Sequence, residues 1–120
     1  MKKVFLLLVC TLILCSCNNE KKEEVVVKNV NCSEAMDLVD DGAILIDVRT
    51  LAEYNAEHLD GALNIPVDVI ASQIEEKVTE KDTKIIVYCR SGNRSATAAQ
   101  TLLDMGYTNV SDLGAMSNCA

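Results

Sequence analysis

From Val25 onward, short β-rich runs alternate with stretches of helical periodicity, and this order constrains the fold more than any other feature of the chain. Two of the runs, residues 43–48 and 84–88, are apolar on both faces, which is typical of central strands in a parallel sheet. Strands that alternate with helices form sheets covered by helices on both sides. The sequence therefore predicts an α/β domain with an open, mostly parallel sheet of about five strands.

Helix starts are marked by capping residues. Asn31 with Glu34, and Thr50 with Glu53, match the capping box, in which two side chains satisfy the first free amides of a helix. Pro66 predicts the start of a third helix, because proline suits a first helical turn. The predicted elements in chain order are strand 25–28, a helix ended by Asp41-Gly42, strand 43–48, helix 51–56, an extended stretch 61–65, helix 67–78, strand 84–88, a helix closed by Gly106, and strand 110–113.

The first sixteen residues predict an export signal. Lys2 and Lys3 precede an apolar stretch of eleven residues, 4–14, which is shorter than the roughly 20 residues that span a bilayer. The sequence Leu14-Cys15-Ser16-Cys17 resembles a bacterial lipobox, so Cys17 is the expected lipidation site and mature N-terminus. Cys15 is the rival site, but it would put Leu14 where the peptidase needs a small side chain. A plain secretory signal or an uncleaved anchor are the alternatives, and both still export the domain.

The division that follows is a signal peptide (1–16), a lipidated cysteine with a polar linker (17–24) and one domain (25–120). We expect a lipid anchor on the periplasmic side of the cell envelope. Asn18 lacks the aspartate type of inner-membrane retention signal, which favours the outer membrane. Loss of Lys2 and Lys3 changes the net charge from −7 to −9, which argues against nucleic-acid binding.

The stretch between the buried strand 84–88 and the following helix carries the chemistry: Cys89-Arg90-Ser91-Gly92-Asn93-Arg94-Ser95. Ligands bind outside the carboxyl ends of parallel strands, where a helix N-terminus presents free amides to an anion. A cysteine there has its thiolate favoured by the amides and the helix dipole, and Arg90 and Arg94 add positive potential. Gly92 lets the loop turn, and Ser91 and Ser95 offer hydroxyl donors. This pattern predicts a nucleophilic cysteine with a lowered pKa beside an anion site.

The chain resembles the rhodanese family in three stretches. The first is Asp47-Val48-Arg49 with Glu53-Tyr54 and residues 58–66, the second is residues 87–95, and the third is Leu113-Gly114-Ala115. The resemblance implies a single-domain thiosulfate sulfurtransferase, in which Cys89 takes sulfur from a small-molecule donor, becomes a persulfide, and passes the sulfur to cyanide or a thiol. It also implies that Arg90, Ser91, Gly92, Asn93, Arg94 and Ser95 surround the persulfide and bind the donor.

Other residues in the resembling stretches are expected to support the loops. Asp47 and Arg49 are predicted to form a buried pair, and His58 to be a structural histidine. The family's topology sets the first and last strands side by side, which implies that Cys32 and Cys119 can form a disulfide after export. The chain departs from the family pattern at Glu57, Ala115 and Cys119, where the family has two glycines and a tryptophan, and none of these lies in the loop.

Two other classes of protein fit parts of the pattern. A cysteine phosphatase or arsenate reductase also uses a Cys-to-Arg anion loop, but its loop has five intervening residues, whereas four separate Cys89 from Arg94. A non-catalytic lipoprotein that binds a partner or carries sulfur is the second alternative. The single histidine gives little support to a metal site or a Ser-His-Asp site, and we expect no metal, no cofactor and a monomer.

Overall fold

The computed structural model describes residues 24–120, which contain a five-stranded sheet in the order β1-β5-β4-β2-β3. All neighbouring strands run parallel, so the predicted α/β class and parallel sheet are confirmed. The predicted signal peptide, Cys17 and most of the linker lie outside the described residues. The strands are β1 (Lys28–Asn29), β2 (Ile44–Asp47), β3 (Leu63–Asn64), β4 (Ile85–Cys89) and β5 (Val110–Ala115).

Helices connect the strands, and two of them begin at the predicted capping boxes. The Asn31 side chain accepts from the Glu34 amide at 2.8 Å, and the Thr50 hydroxyl accepts from the Glu53 amide at 3.2 Å. Both glutamates return a bond to the amide of the capping residue. The helices are α1 (Cys32–Asp40), α2 (Leu51–Ala56), α3 (Ile70–Lys77), α4 (Asn93–Asp104) and a C-terminal 3₁₀ helix (Met116–Cys119).

The prediction that Pro66 begins a helix is wrong, because α3 begins at Ile70 and residues 67–69 form a turn. The amide of Val67 donates to the carbonyl of Val48 at 2.9 Å, beyond the end of β2. The Val69 amide closes the turn on the carbonyl of Pro66 at 3.0 Å. These bonds hold the backbone against the sheet before the helical ladder starts. The predicted strand 25–28 shares only Lys28 with β1, and β2 and β3 are shorter than the predicted strand 43–48 and the predicted extended stretch 61–65.

The central strand β4 is buried on both faces. Side chains alternate across a strand, so Ile85, Val87 and Cys89 pack on the side of α3 and α4. Ile86 and Tyr88 pack on the opposite side, with Ala35 of α1. Cys89 therefore ends the most buried strand of the sheet on the face covered by α4.

None of the helices within residues 24–120 has the length and hydropathy of a membrane-spanning segment.

Candidate active site

The sulfur of Cys89 lies under the first turn of α4 and accepts hydrogen bonds from two backbone amides. The Gly92 amide donates to Sγ at 3.0 Å and the Ser95 amide at 3.3 Å. Cys89 has 0% of its surface exposed. The free amides of a helix start are thus directed at the sulfur atom rather than at solvent.

These contacts lower the pKa of the Cys89 thiol. Burial is the strongest single effect and raises the pKa, since it disfavours the charged thiolate. Hydrogen bonds from the Ser95 side chain and from the amides of Ser95, Gly92 and Ser91 together outweigh burial. The Ser95 hydroxyl has one proton and two acceptors in reach, because its Oγ also lies 3.1 Å from the carbonyl oxygen of Gly92. The site favours a thiolate, which is the nucleophilic form of cysteine.

Gly92 allows the loop to turn onto the sulfur. Its φ of +102° lies in the left-handed region, where a side chain is strained. A Cβ at this position would lie 4.0 Å from the Cα of Gly114 at the end of β5, which leaves room for the methyl group itself. The need for glycine here is therefore one of backbone conformation rather than of space.

Arg94 is ion-paired with Glu53, which belongs to the capping box of α2. Its Nη1 lies 2.7 Å from Oε1 of Glu53, and its Nη2 lies 3.1 Å from Oε2. This pair holds the pKa of Glu53 at about 2, chiefly through the hydrogen bonds from Arg94. Arg94 is predicted to bind the sulfur donor. The Glu53 carboxylate competes with the donor for this guanidinium, because the two side chains are already paired.

Glu53 was missed because its match to the capping box explained its presence without a long-range partner. The only further signal in the sequence was its place in the resembling stretch that also contains Asp47 and Arg49.

Arg90 is exposed and makes no salt bridge among the described residues. It borders a cleft of about 440 Å³ that opens beside the loop. Ser91 and Asn93 are exposed on the same loop, whereas Ser95 is buried. The other residues that line the cleft are Glu57, His58, Leu59, Met116, Ser117, Cys119 and Ala120.

Asp47 and Arg49 form a buried pair that is extended by Tyr88. Arg49 donates to Asp47 through Nε at 3.0 Å and Nη2 at 2.7 Å, and the Tyr88 hydroxyl donates to the same carboxylate at 2.9 Å. Arg49 also reaches the carbonyl of Glu57 at 2.7 Å, and the Leu59 amide donates to the Tyr88 hydroxyl at 3.0 Å. The network fixes the segment 57–59, which forms one wall of the cleft.

His58 stands on that wall and does not contact the sulfur. Its ring stacks on Tyr54 with centroids 3.8 Å apart, and its Nδ1 lies 2.9 Å from the carbonyl oxygen of Tyr54. No group of three or more potential metal ligands is found within residues 24–120.

Cys32 and Cys119 are joined by a disulfide, with their Cα atoms 5.2 Å apart. The bond links the start of α1 to the end of the C-terminal 3₁₀ helix, across a separation of 87 residues. Cys89 is then the free cysteine of the described part of the chain.

Comparison with known proteins gives one consistent family. A family model described as "Rhodanese-like domain" matches residues 31–117. Thiosulfate sulfurtransferase PspE of Escherichia coli is 39% identical over 75 residues, which cover 62% of this chain and 72% of that protein. The chain spans only 22% of a longer relative, the tRNA uridine(34) hydroxylase of Erwinia tasmaniensis, with 38% identity over 77 residues that make up 61% of this chain.

Solved structures agree with the sequence matches. The human single-domain sulfurtransferase TSTD1 superposes with a TM-score of 0.69 at 28% identity, covering 78% of this chain and 96% of that one. A structure described as a rhodanese with anions from E. coli gives a TM-score of 0.62 at 36% identity, covering 64% of this chain and 91% of that one.

Proposed function

Because the chain belongs to the rhodanese-like domain family, we propose that it moves sulfane sulfur from a donor such as thiosulfate to a thiophilic acceptor, cyanide or a thiol, through a persulfide on Cys89. The observation that carries the proposal is the sulfur of Cys89, held by the amides of Gly92 and Ser95 at the start of α4. Sulfurtransferases among the relatives support the reaction class.

The first half-reaction charges the enzyme. The Cys89 thiolate attacks the outer sulfur of thiosulfate, the bond between the two thiosulfur atoms breaks, and sulfite leaves with the electron pair. The new persulfide anion carries the single negative charge that the thiolate had. The loop amides that hold the thiolate also suit this anion, because they are fixed donors that need no rearrangement. Arg90, the exposed cation of the loop, is the side chain best placed to meet the donor's oxygens.

The second half-reaction transfers the sulfur from the enzyme to the acceptor. A nucleophilic acceptor attacks the outer sulfur of the persulfide, the sulfur–sulfur bond to Cys89 breaks, and its electron pair returns to the cysteine as thiolate. A thiolate that is stabilised by hydrogen bonds is also a better leaving group. Neither half-reaction needs a proton-transferring residue, so the position of His58 away from the sulfur is compatible with this chemistry.

The geometry does not favour a phosphatase or arsenate reductase. The residue in the sixth position after Cys89 is Ser95, which is buried and turned toward the loop backbone, so it cannot replace the arginine of a longer loop. Arg94, one position earlier, is paired with Glu53.

The test is intact-mass spectrometry of the exported domain after incubation with thiosulfate and then with cyanide. We expect a gain of one sulfur atom that the cyanide removes. A Cys89→Ser variant should gain nothing, whereas a control with Cys32→Ser and Cys119→Ser, which retains Cys89, should still be charged. If the wild-type domain gains no sulfur from thiosulfate or from mercaptopyruvate, the proposal fails and a partner-binding role becomes the better interpretation.

We also propose that Cys17 anchors the chain to a membrane of the cell envelope. The support is the order of charged start, apolar stretch and small residue before Cys17. The full-length chain should incorporate labelled fatty acid in a bacterial host and partition into detergent. Cys17→Ser should abolish both effects and Cys15→Ser neither, whereas the opposite result would move the lipid to Cys15.

A further inference from the structure

The cleft beside Arg90 is larger than the proposed sulfur donor requires. Its volume of about 440 Å³ lies within the range of sites for small organic molecules, roughly 300–1,000 Å³. A water molecule's share of liquid volume is about 30 Å³, so cyanide or thiosulfate would fill only a fraction of this space. The cleft therefore has room for a small organic molecule.

One part of the cleft wall is apolar. Leu59 and Met116 are partly buried, and both pack against the core on the Tyr88 side of the sheet. Cys119 borders the same space. Since Cys119 is bonded to Cys32, the segment that carries Met116 is tied to α1. An apolar group of a ligand would find a surface here that is fixed by the rest of the fold.

The charges of the cleft indicate one anionic group on the ligand. The chain has three arginines, of which Arg49 is paired with Asp47 and Arg94 with Glu53. Arg90 is the arginine without a carboxylate partner in the described residues, and its guanidinium can bind a carboxylate with two parallel hydrogen bonds. Glu57 lines the cleft as well. A second negative charge on the ligand would meet this carboxylate.

We propose that this cleft binds the sulfur acceptor, and that the acceptor is an organic thiol with an apolar body and a single anionic group bound by Arg90. The inference rests on the proposed sulfurtransferase function. The acceptor thiolate attacks the outer sulfur of the Cys89 persulfide, a new sulfur–sulfur bond forms on the acceptor, and the bond to Cys89 breaks with its electron pair returning to the cysteine. The acceptor leaves as a persulfide, its proton passes to water, and no outside oxidant or reductant is consumed.

The experiment compares two acceptors that differ only in charge. The domain is first loaded with sulfur by thiosulfate, so that Cys89 carries the persulfide. It is then mixed with 6-mercaptohexanoate or with the electrically neutral 6-mercaptohexanol, and loss of the persulfide is followed by mass spectrometry. The two thiols have the same reach and similar intrinsic reactivity, because the differing group is remote from sulfur. At low concentrations we expect the anionic thiol to discharge the wild-type persulfide about tenfold faster, as one charge-assisted contact allows.

Variants separate the contribution of the charged residues of the cleft from that of its apolar surface. Arg90→Gln should abolish the preference for the anionic thiol, and Glu57→Gln should increase it. Met116→Ser should slow both thiols equally, without slowing cyanide. The controls are Lys77→Gln, which removes a positive charge on α3 away from the cleft, and Met36→Ser, which alters a partly buried methionine of α1 outside it. Both should retain the wild-type preference.

A binding measurement makes failure of this inference distinguishable from failure of the proposed function. Heptanoate, which has no thiol, is titrated into uncharged domain while the methyl resonance of Met116 is observed by NMR. A saturable shift that heptanol gives only weakly, and that Arg90→Gln removes, supports the cleft even if thiosulfate does not charge Cys89. No shift, or equal discharge by both thiols in every variant while cyanide still discharges the persulfide, overturns the inference and leaves the sulfurtransferase proposal standing.

Discussion

Arg94 and Glu53 form a two-pronged salt bridge, with N–O distances of 2.7 and 3.1 Å, that joins the first turn of α4 to the first turn of α2. The two residues are 41 positions apart in the chain. Since α4 supplies the amides on the Cys89 sulfur, the pair connects the candidate active-site loop to the part of the fold that follows β2.

Glu53→Gln should remove the charge pair and keep the helix cap, because glutamine also satisfies a capping box. A double-mutant cycle with Arg94→Gln should give a coupling energy of about 1 kcal/mol, since both side chains are partly exposed. The pKa of Glu53 is lowered from 4.5 to about 2, so its stabilisation is complete above pH 4.5 and is lost as the pH falls toward 2. Urea unfolding of wild type and Glu53→Gln across this range measures it. A stability difference that does not change below pH 4.5 would contradict this assignment.

The lowered pKa of Cys89 predicts an early thiolate titration. Absorbance of the thiolate near 240 nm, taken as the difference between wild type and Cys89→Ser, should rise with a midpoint below that of a free cysteine measured under the same conditions. The rate of charging by thiosulfate should rise through the same pH range and then level off. Ser95→Ala should move both midpoints upward, because the hydroxyl is one of the groups that favour the thiolate. An unchanged midpoint in this variant would mean that the backbone amides suffice.

Gly92→Ala and Gly106→Ala form a matched pair of substitutions. Both glycines have φ near +100°, at +102° and +98°, and a Cβ has space at each position. Each alanine should lower the free energy of unfolding by about 1–2 kcal/mol, the strain of a left-handed backbone. Only Gly92→Ala should also slow charging of Cys89, because relief of the strain moves an amide away from the sulfur. Equal loss of charging in both variants would indicate a general effect of instability.

The disulfide predicts the thiol count and a part of the stability. Exported domain that lacks Cys17, denatured without reductant, should titrate with one thiol, that of Cys89. Replacement of Cys32 and Cys119 by serine should lower the free energy of unfolding by about 2–4 kcal/mol, mainly by freeing the unfolded chain. Three thiols in the denatured, unreduced domain would show that the bond is absent.

The sequence could predict the fold because the information was local. Runs that are apolar on both faces marked β2 and β4, and the capping box at Thr50 marked the start of α2. The start of α3 was misplaced because the sequence does not show that the Val67 amide bonds to the carbonyl of Val48, just beyond the end of β2. The position of the loop between β4 and α4 was predictable to the same degree, since it is also a local pattern.

The long-range partners of the residues in the candidate active site were not predictable. Glu53 meets Arg94, and Tyr88 meets Asp47, only because β2 and β4 are neighbours in the sheet. In the sequence, Tyr88 is indistinguishable from any other aromatic residue of a buried strand. Nothing in the order of residues shows that its hydroxyl donates to the carboxylate of Asp47 and accepts from the amide of Leu59.

The bond between Cys32 and Cys119 closes the folded domain into a covalent ring. A protease that cuts one surface loop inside this ring cannot divide the molecule, because the two fragments stay connected through the sulfurs. Within residues 24–120, the five helices and every strand except β1 lie inside the ring. In an environment rich in proteases, a nicked copy could keep its loop amides on Cys89 and remain one particle until a reductant opened it.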